Sequence, residues 1–204
     1  MNPEKTTCFP IRRLAAATAN TTKVGVIGPG IMGTLVAAAL MDAGFATVLL
    51  DGDLRKGEAE ARGTATATAD WRELAGCEIV ITTVDGDAAM REIARRLSGT
   101  LRTYSVHLSM SAIAPATARE LAGLHHSLGQ QFVSAPVLGS PQLAASRDLL
   151  AFVAADEETL HRCMPLLECM CRQIFIVGDL PEQANRFHRF ARPVDARAET
   201  TRQS

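Results

Sequence analysis

Net charge is almost missing from this chain: 21 Lys and Arg stand against 22 Asp and Glu, a formal net of −1 over 204 residues. That balance offers no basic face to a polyanion, so no nucleic-acid partner is implied. Long apolar runs are missing too. None reaches the ~20 residues that span a bilayer, and no membrane partner is expected. Near the N-terminus, Ile11-Arg-Arg-Leu14 gives way to alanines and threonines instead of the apolar core of a secretory signal. Residues 1–22 therefore read as a flexible tail. Arg12 and Arg13 would suit a transit peptide, while Glu4 and the scarcity of serine oppose it. There is no internal repeat and no low-complexity tract. Five cysteines (Cys8, Cys77, Cys163, Cys169, Cys171) form no CxxC pair and no His/Cys set at ligand spacing, so no metal site is read. Their odd number and the lack of a leader favour reduced, core or half-buried thiols in a cytoplasmic protein.

What is present is 47% hydrophobic sequence, enough for one sizeable soluble domain with a short extension. Strand and helix patterns alternate between residues 24 and 177. Strands are expected at 24–27, 47–50, 64–66, 78–83, 103–107, 131–134, 149–154 and 173–177. Helices are expected at 31–43, 54–61, 70–74, 87–97 (capped by Ser98-Gly99), 116–126 and 157–170. This rhythm predicts an α/β fold with a doubly wound, mostly parallel, Rossmann-like sheet over residues 23–180. Residues 181–204 read as a short irregular or helical extension. Their text turns arginine-rich from Arg186 and carries Pro193.

The apolar run Val24–Ile27 leads into Gly28-Pro29-Gly30-Ile31-Met32-Gly33, a G-x-G-x-x-G spacing between a strand and a helix. Gly28 permits a tight turn, Gly30 lets backbone approach a phosphate, and Gly33 lets the helix pack against the strand. The helix then aims its unpaired N–H groups at an anion, which points to the pyrophosphate of a dinucleotide. Asp51 follows Gly28 by 23 positions, near the ~20 usual for a carboxylate that accepts from the adenine ribose. Its bland alternative is a turn or capping residue before Gly52.

Four segments together resemble the β-hydroxyacid dehydrogenase superfamily, which includes 6-phosphogluconate and 3-hydroxyisobutyrate dehydrogenases and imine reductases. They are Gly28-Pro-Gly-Ile-Met-Gly33, His107-Leu-Ser-Met-Ser-Ala-Ile-Ala-Pro115, Ser134-Ala-Pro-Val-Leu-Gly139 and Gly178-Asp-Leu-Pro-Glu-Gln-Ala-Asn185. The resemblance implies an NAD(P)-dependent oxidoreductase transferring hydride to or from a small hydroxyacid, semialdehyde or imine. It places Thr83, Val84 and Asp85 beside the cofactor, Ser111 as a catalytic and substrate-binding hydroxyl, and Leu138 and Gly139 at the substrate. The alternatives from the residues alone are a helix cap for Ser111, a tight turn for Leu138-Gly139 and an ordinary strand-to-helix loop for residues 83–85.

Departures from the pattern are equally informative. Where the superfamily often has Asn-Arg after the second strand, this chain has Asp51-Gly52. The superfamily implies NADP; the local carboxylate favours NAD, although Arg55 and Lys56 could serve a 2′-phosphate. Ala112 and Leu138 replace polar family positions, which points to a more apolar substrate or to lost activity. The family's catalytic lysine falls on His188, a candidate general acid whose bland alternative is an exposed histidine in a divergent tail, and its later asparagine falls on Arg192. The helical second domain that supplies a homodimer interface and much of the substrate pocket does not follow, so the chain reads as truncated before it. The expectation is an oxidoreductase's cofactor-binding domain, weakly active or inactive as it stands. The competing expectation is a non-catalytic dinucleotide-binding or assembly module.

Overall fold

The computed structural model describes residues 7–10, 22–28, 30–50 and 66–191, with backbone alone for 7–10, 66, 190 and 191. The first strands are β1 (Thr7–Pro10), β2 (Lys23–Ile27), β3 (Ala46–Leu50), β4 (Thr66–Thr68) and β5 (Ile79–Thr82). They are followed by β6 (Val106–Ser109), β7 (Gln131–Ser134), β8 (Val137–Leu138), β9 (Leu149–Ala154) and β10 (Cys171–Gly178). The helices are α1 (Ile31–Asp42), α2 (Asp87–Thr100), α3 (Pro115–His126), α4 (Pro141–Ala145), α5 (Glu157–Glu168) and α6 (Pro181–Ala191).

The strands lie in the order β1-β10-β9-β7-β6-β5-β2-β3-β4, with β8 beside β9. From β4 to β7 every pair is parallel. Beyond β7 the direction reverses: β9 runs antiparallel to β7, β10 runs parallel to β9, and β1 closes the edge antiparallel to β10. The fold is thus Rossmann-like α/β with a mostly parallel sheet. Central strands bury both faces, so β2 and β5 read as nearly continuous apolar runs; β6 alternates Val-His-Leu-Ser yet buries all four residues. Helix α2 shows the complementary pattern. Its buried residues Met90, Ala94 and Leu97 recur at helical spacing with Ile93 packed beside them, while Arg91, Glu92, Arg95 and Arg96 are charged.

Strand order reverses between β2 and β5. The chain leaves β2 for β3 and β4 on one side, then returns to β5 on the other. In open α/β sheets the crevice at the carboxyl ends of such strands is where ligands bind. Ile27, Thr82, Ser109 and Ser134 end their strands along this edge.

Several boundaries differ from the sequence reading for physical reasons. Within the segment read as a tail, Thr7–Pro10 form the edge strand β1. Helix α2 runs through Ser98 and Gly99 instead of stopping there. The Ser98 hydroxyl donates back to the Arg95 carbonyl, and the Gln130 amide donates to the carbonyls of Ser98 and Leu101 at the helix end. The strand expected at 103–107 starts only at Val106. Tyr104 takes a left-handed backbone (φ 65°) and its N–H donates to the Gly129 carbonyl. Strand β4 begins at Thr66 where 64–66 was expected, and a 3₁₀ turn, Trp71–Gly76, replaces the short helix after Asp70, whose carboxylate caps it. The helix expected at 54–61 lies outside the described residues. Cys163 and Cys171 are core residues, and burial pushes both thiols up to about 12.

Candidate functional site

The β2–α1 turn is shaped around a close approach of backbone to backbone. A Cβ on Gly33 would lie 2.2 Å from the Gly28 carbonyl oxygen, and one on Gly28 would lie 1.9 Å from the Thr83 hydroxyl. Neither position admits a side chain. Gly30, at φ 88°, caps α1 without any side-chain bond, and a Cβ there would face open space. The first turn of α1 therefore presents unpaired N–H groups to an open volume, which suits a phosphate. The Thr83 hydroxyl is buried without a hydrogen-bond partner. An orphaned hydroxyl beneath a glycine turn is a ready partner for a polar ligand. Ile31 is 62% exposed beside it, an apolar cover at the rim, while Met32 is half-buried against the core.

The loop between β6 and α3, residues 110–114, is a junction. Ser111 accepts a 2.9 Å hydrogen bond from the Val84 N–H, tying it to the loop after β5. The hydroxyl does not cap α3, whose N-cap is Ala114 with Pro115 in the first turn. The Ile113 N–H donates to the Asn185 Oδ1 on α6 (3.1 Å), and the Ala114 N–H donates to the Asp87 carboxylate on α2 (2.8 Å). The segment after β5, helix α2 and helix α6 are thereby fixed around one short loop. An open cleft of about 320 Å³ lies there, bounded by Gly86 and Asp87, by Ala112–Ala114, and by His188 and Arg189 of α6.

The sequence-predicted residues divide into groups. Gly28, Gly30–Gly33 and Thr83–Asp85 meet at the strand-order reversal, with Ser111 bonded to Val84; Asp85 is exposed. Pro29 and Asp51 lie outside the described residues. His188 is not an exposed tail residue: it is buried on α6, stands edge-on to Phe152, and its Nε2 lies 3.2 Å from the Val137 carbonyl. A carbonyl only accepts, so that nitrogen carries the proton. Leu138 packs against the cluster of Phe152, Val177 and Ala184. Gly139 adjoins Leu149, which a Cβ there would strike at 2.5 Å.

A family model described as the NAD binding domain of 6-phosphogluconate dehydrogenase matches residues 23–178. The chain belongs to that family. Similar family relatives include an uncharacterized oxidoreductase, YfjR, of Bacillus subtilis (strain 168), 34% identical over 168 residues, spanning 80% of this chain and 58% of that protein. A probable 3-hydroxyisobutyrate dehydrogenase of Mycobacterium tuberculosis (strain ATCC 25618 / H37Rv) is 30% identical over 158 residues, spanning 77% and 54%. Among solved structures, Mycobacterium tuberculosis 3-hydroxyisobutyrate dehydrogenase with L-serine superposes with a TM-score of 0.77 at 28% identity, covering 82% of this chain and 58% of that one. A Streptomyces aurantiacus imine reductase gives 0.71 at 25% identity, covering 83% and 60%. The chain thus spans a little over half the length of these relatives. Among the described residues, no helix is long and apolar enough to cross a membrane.

Sequence reasoning missed two features of this family member. One is Asn185, noted only as the end of a motif yet 1% exposed and bonded on both sides of its amide. The other is a buried chain formed by Thr82, His107, His125 and Gln130. The Gln130 Nε2 is spent on two carbonyls, so its Oε1 accepts from the His125 Nδ1–H at 2.8 Å. The His125 Nε2 then accepts from the His107 Nδ1–H at 2.9 Å, and the His107 Nε2 accepts from the Thr82 hydroxyl at 3.0 Å. Both rings are neutral. Burial, reinforced by His125, holds His107 well below the usual histidine range, and burial lowers His125. No sequence spacing signals this chain, because its members come from β5, β6, α3 and the turn before β7.

Proposed function

We propose that the chain binds NAD(P) in the β2–α1 cradle and is the cofactor half of a hydride-transfer oxidoreductase for a small hydroxyacid, semialdehyde or imine, with little or no turnover on its own. The observation that carries this reading is the cradle itself: Gly28 and Gly33 in contact too close for side chains, open space at Gly30, and the orphaned Thr83 hydroxyl. Such a turn at a helix N-terminus and at the strand-order reversal fits a pyrophosphate. Bound there, the dinucleotide supplies or accepts hydride at its nicotinamide ring. The α1 amides would hold the pyrophosphate, and the 83–85 loop would border the nicotinamide half. Ser111 would face the substrate while its lone pair holds the Val84 N–H. Asp51 would accept from the adenine ribose and favour NAD over NADP.

Weak turnover is supported by the state of the proton donor. A general acid needs its proton within reach of the substrate, and the His188 Nε2 proton is directed to the Val137 carbonyl instead. Ala112, exposed at the cleft, offers no polar group. The test is NAD(P)-linked oxidation of short 3-hydroxyacids, and reduction of semialdehydes and cyclic imines. Rates far below the ordinary ~1–10³ per second are expected. A rate within that range overturns the inactive part of the reading. If that rate also collapsed in His188→Ala, the histidine would be the proton donor.

A further inference from the structure

Asn185 sits on α6, one turn before His188, and is 1% exposed. Its Oδ1 accepts from the Ile113 N–H and its Nδ2 donates to the Ser134 hydroxyl at the end of β7. These partners lie 72 and 51 residues away in sequence. One turn later, His188 donates to Val137, just past the same end of β7. The α6 backbone is also pinned at its first turn, where Glu182 pairs with Arg119 of α3 at 3.0 Å. An amide that donates on one side and accepts on the other fixes rotation as well as distance, which an apolar residue of equal volume cannot do.

We propose that Asn185 is a positioning residue: its two-sided amide locks α6 to the 110–114 loop and to the end of β7, and so sets where His188 stands at the cleft. Three properties favour this over general stabilisation. The amide reaches backbone of the loop that forms the cleft wall, not a remote element. Its Ile113 bond lies between the Ser111 and Ala114 ties, so all three restrain one segment. Finally, the apolar contacts of α6 through Ala184 with Phe152 and Val177 hold the helix down without fixing its rotation.

This deepens the functional reading, but its test needs no ligand. Three variants are compared by amide exchange and by histidine ring NMR: Asn185→Ala, Asn185→Asp, which keeps the oxygen facing Ile113, and Leu166→Ala, a core truncation on the opposite face of the sheet. In Asn185→Ala the Ile113 amide is expected to exchange at least ~10-fold faster relative to the amides of β2, and His188 to lose its Nε2–H signature. Asn185→Asp is expected to recover Ile113 protection partly. Leu166→Ala should lower the melting temperature while leaving both local readouts unchanged. Dinucleotide affinity in Asn185→Ala should stay within ~3-fold of wild type, since the cradle is built by other residues. The proposal is overturned if Asn185→Ala leaves the Ile113 amide and His188 as in wild type, or if Leu166→Ala moves them equally. A chain that binds no dinucleotide would sink the functional reading and leave these exchange and ring results standing.

Discussion

The two halves of the candidate site are made by different means. The nucleotide half uses backbone and the absence of side chains: Gly28 and Gly33 touch through main-chain atoms, and one hydroxyl, Thr83, lies beneath them. The proposed substrate half uses side-chain ties between distant segments: Ser111 to Val84, Asp87 to Ala114, Asn185 to Ile113, His188 to Val137. A steric cradle fails abruptly when a Cβ enters it. A tied junction fails by degrees, one hydrogen bond at a time, at about 1 kcal/mol net for a neutral pair. The first half therefore tolerates little variation, while the second can lose one tie and keep the others.

The largest expected effect is at the cradle. Gly33→Ala places a methyl 2.2 Å from a backbone oxygen that cannot rotate away. Helix α1 and β2 must separate, which should cost more than ~2 kcal/mol of stability and at least ~100-fold in dinucleotide affinity. Denaturant melts and a cofactor titration check both. If Gly33→Ala bound as wild type does, the contrast between a steric and a tied half would break.

Acid should act on the other half first. His107 and His125 are buried neutral between β6 and α3, with pKa values lowered from the usual histidine range, while the cradle holds no titratable side chain among its described residues. In the unfolded chain both rings protonate below about 6.5. The unfolded state then binds more protons than the folded one, so stability falls as pH drops. It is fully present above pH 6.5 and is lost below it, by at most about 1.4 kcal/mol per pH unit for each ring. Urea denaturation at pH 7.5 and 5.5 measures the slope. Amide exchange should show β6 and α3 loosening before β2 and α1. A flat profile would show that the neutral His107–His125 pair is not the titrating element.

The smallest effect concerns cofactor choice. Asp51→Ala should shift the ratio of the two affinities toward NADP by a few-fold, on the order of 1 kcal/mol for a single carboxylate. Tighter NADP than NAD binding in the wild type would show that Arg55 or Lys56 outweighs it.

The same division explains what the sequence disclosed. The cradle is local: Gly28, Gly30 and Gly33 lie within one turn, and their spacing reports their geometry. The parallel order followed from apolar runs in β2 and β5 and from strands alternating with helices. What stayed hidden was non-local or conformational. Tyr104 in a left-handed backbone delays β6 by three residues, and no residue type there announces it. The roles of Ser111 and Asn185 depend on partners 27 and 72 positions away. For Ser111, local pattern offered a helix cap, and tertiary structure supplied a tie to Val84 instead. The short strand β1 escaped notice because four residues carry too little periodicity to separate an edge strand from a tail.

The most direct measurement is a calorimetric titration of the chain with NADH and NADPH, alongside Gly30→Val. At φ 88° and with open space beside it, Gly30 is where a branched side chain would both strain the turn and fill the volume meant for pyrophosphate. Saturable binding of at least one dinucleotide, abolished in a folded Gly30→Val, is the predicted result. No binding of either at millimolar concentration by a folded wild-type chain would contradict the account.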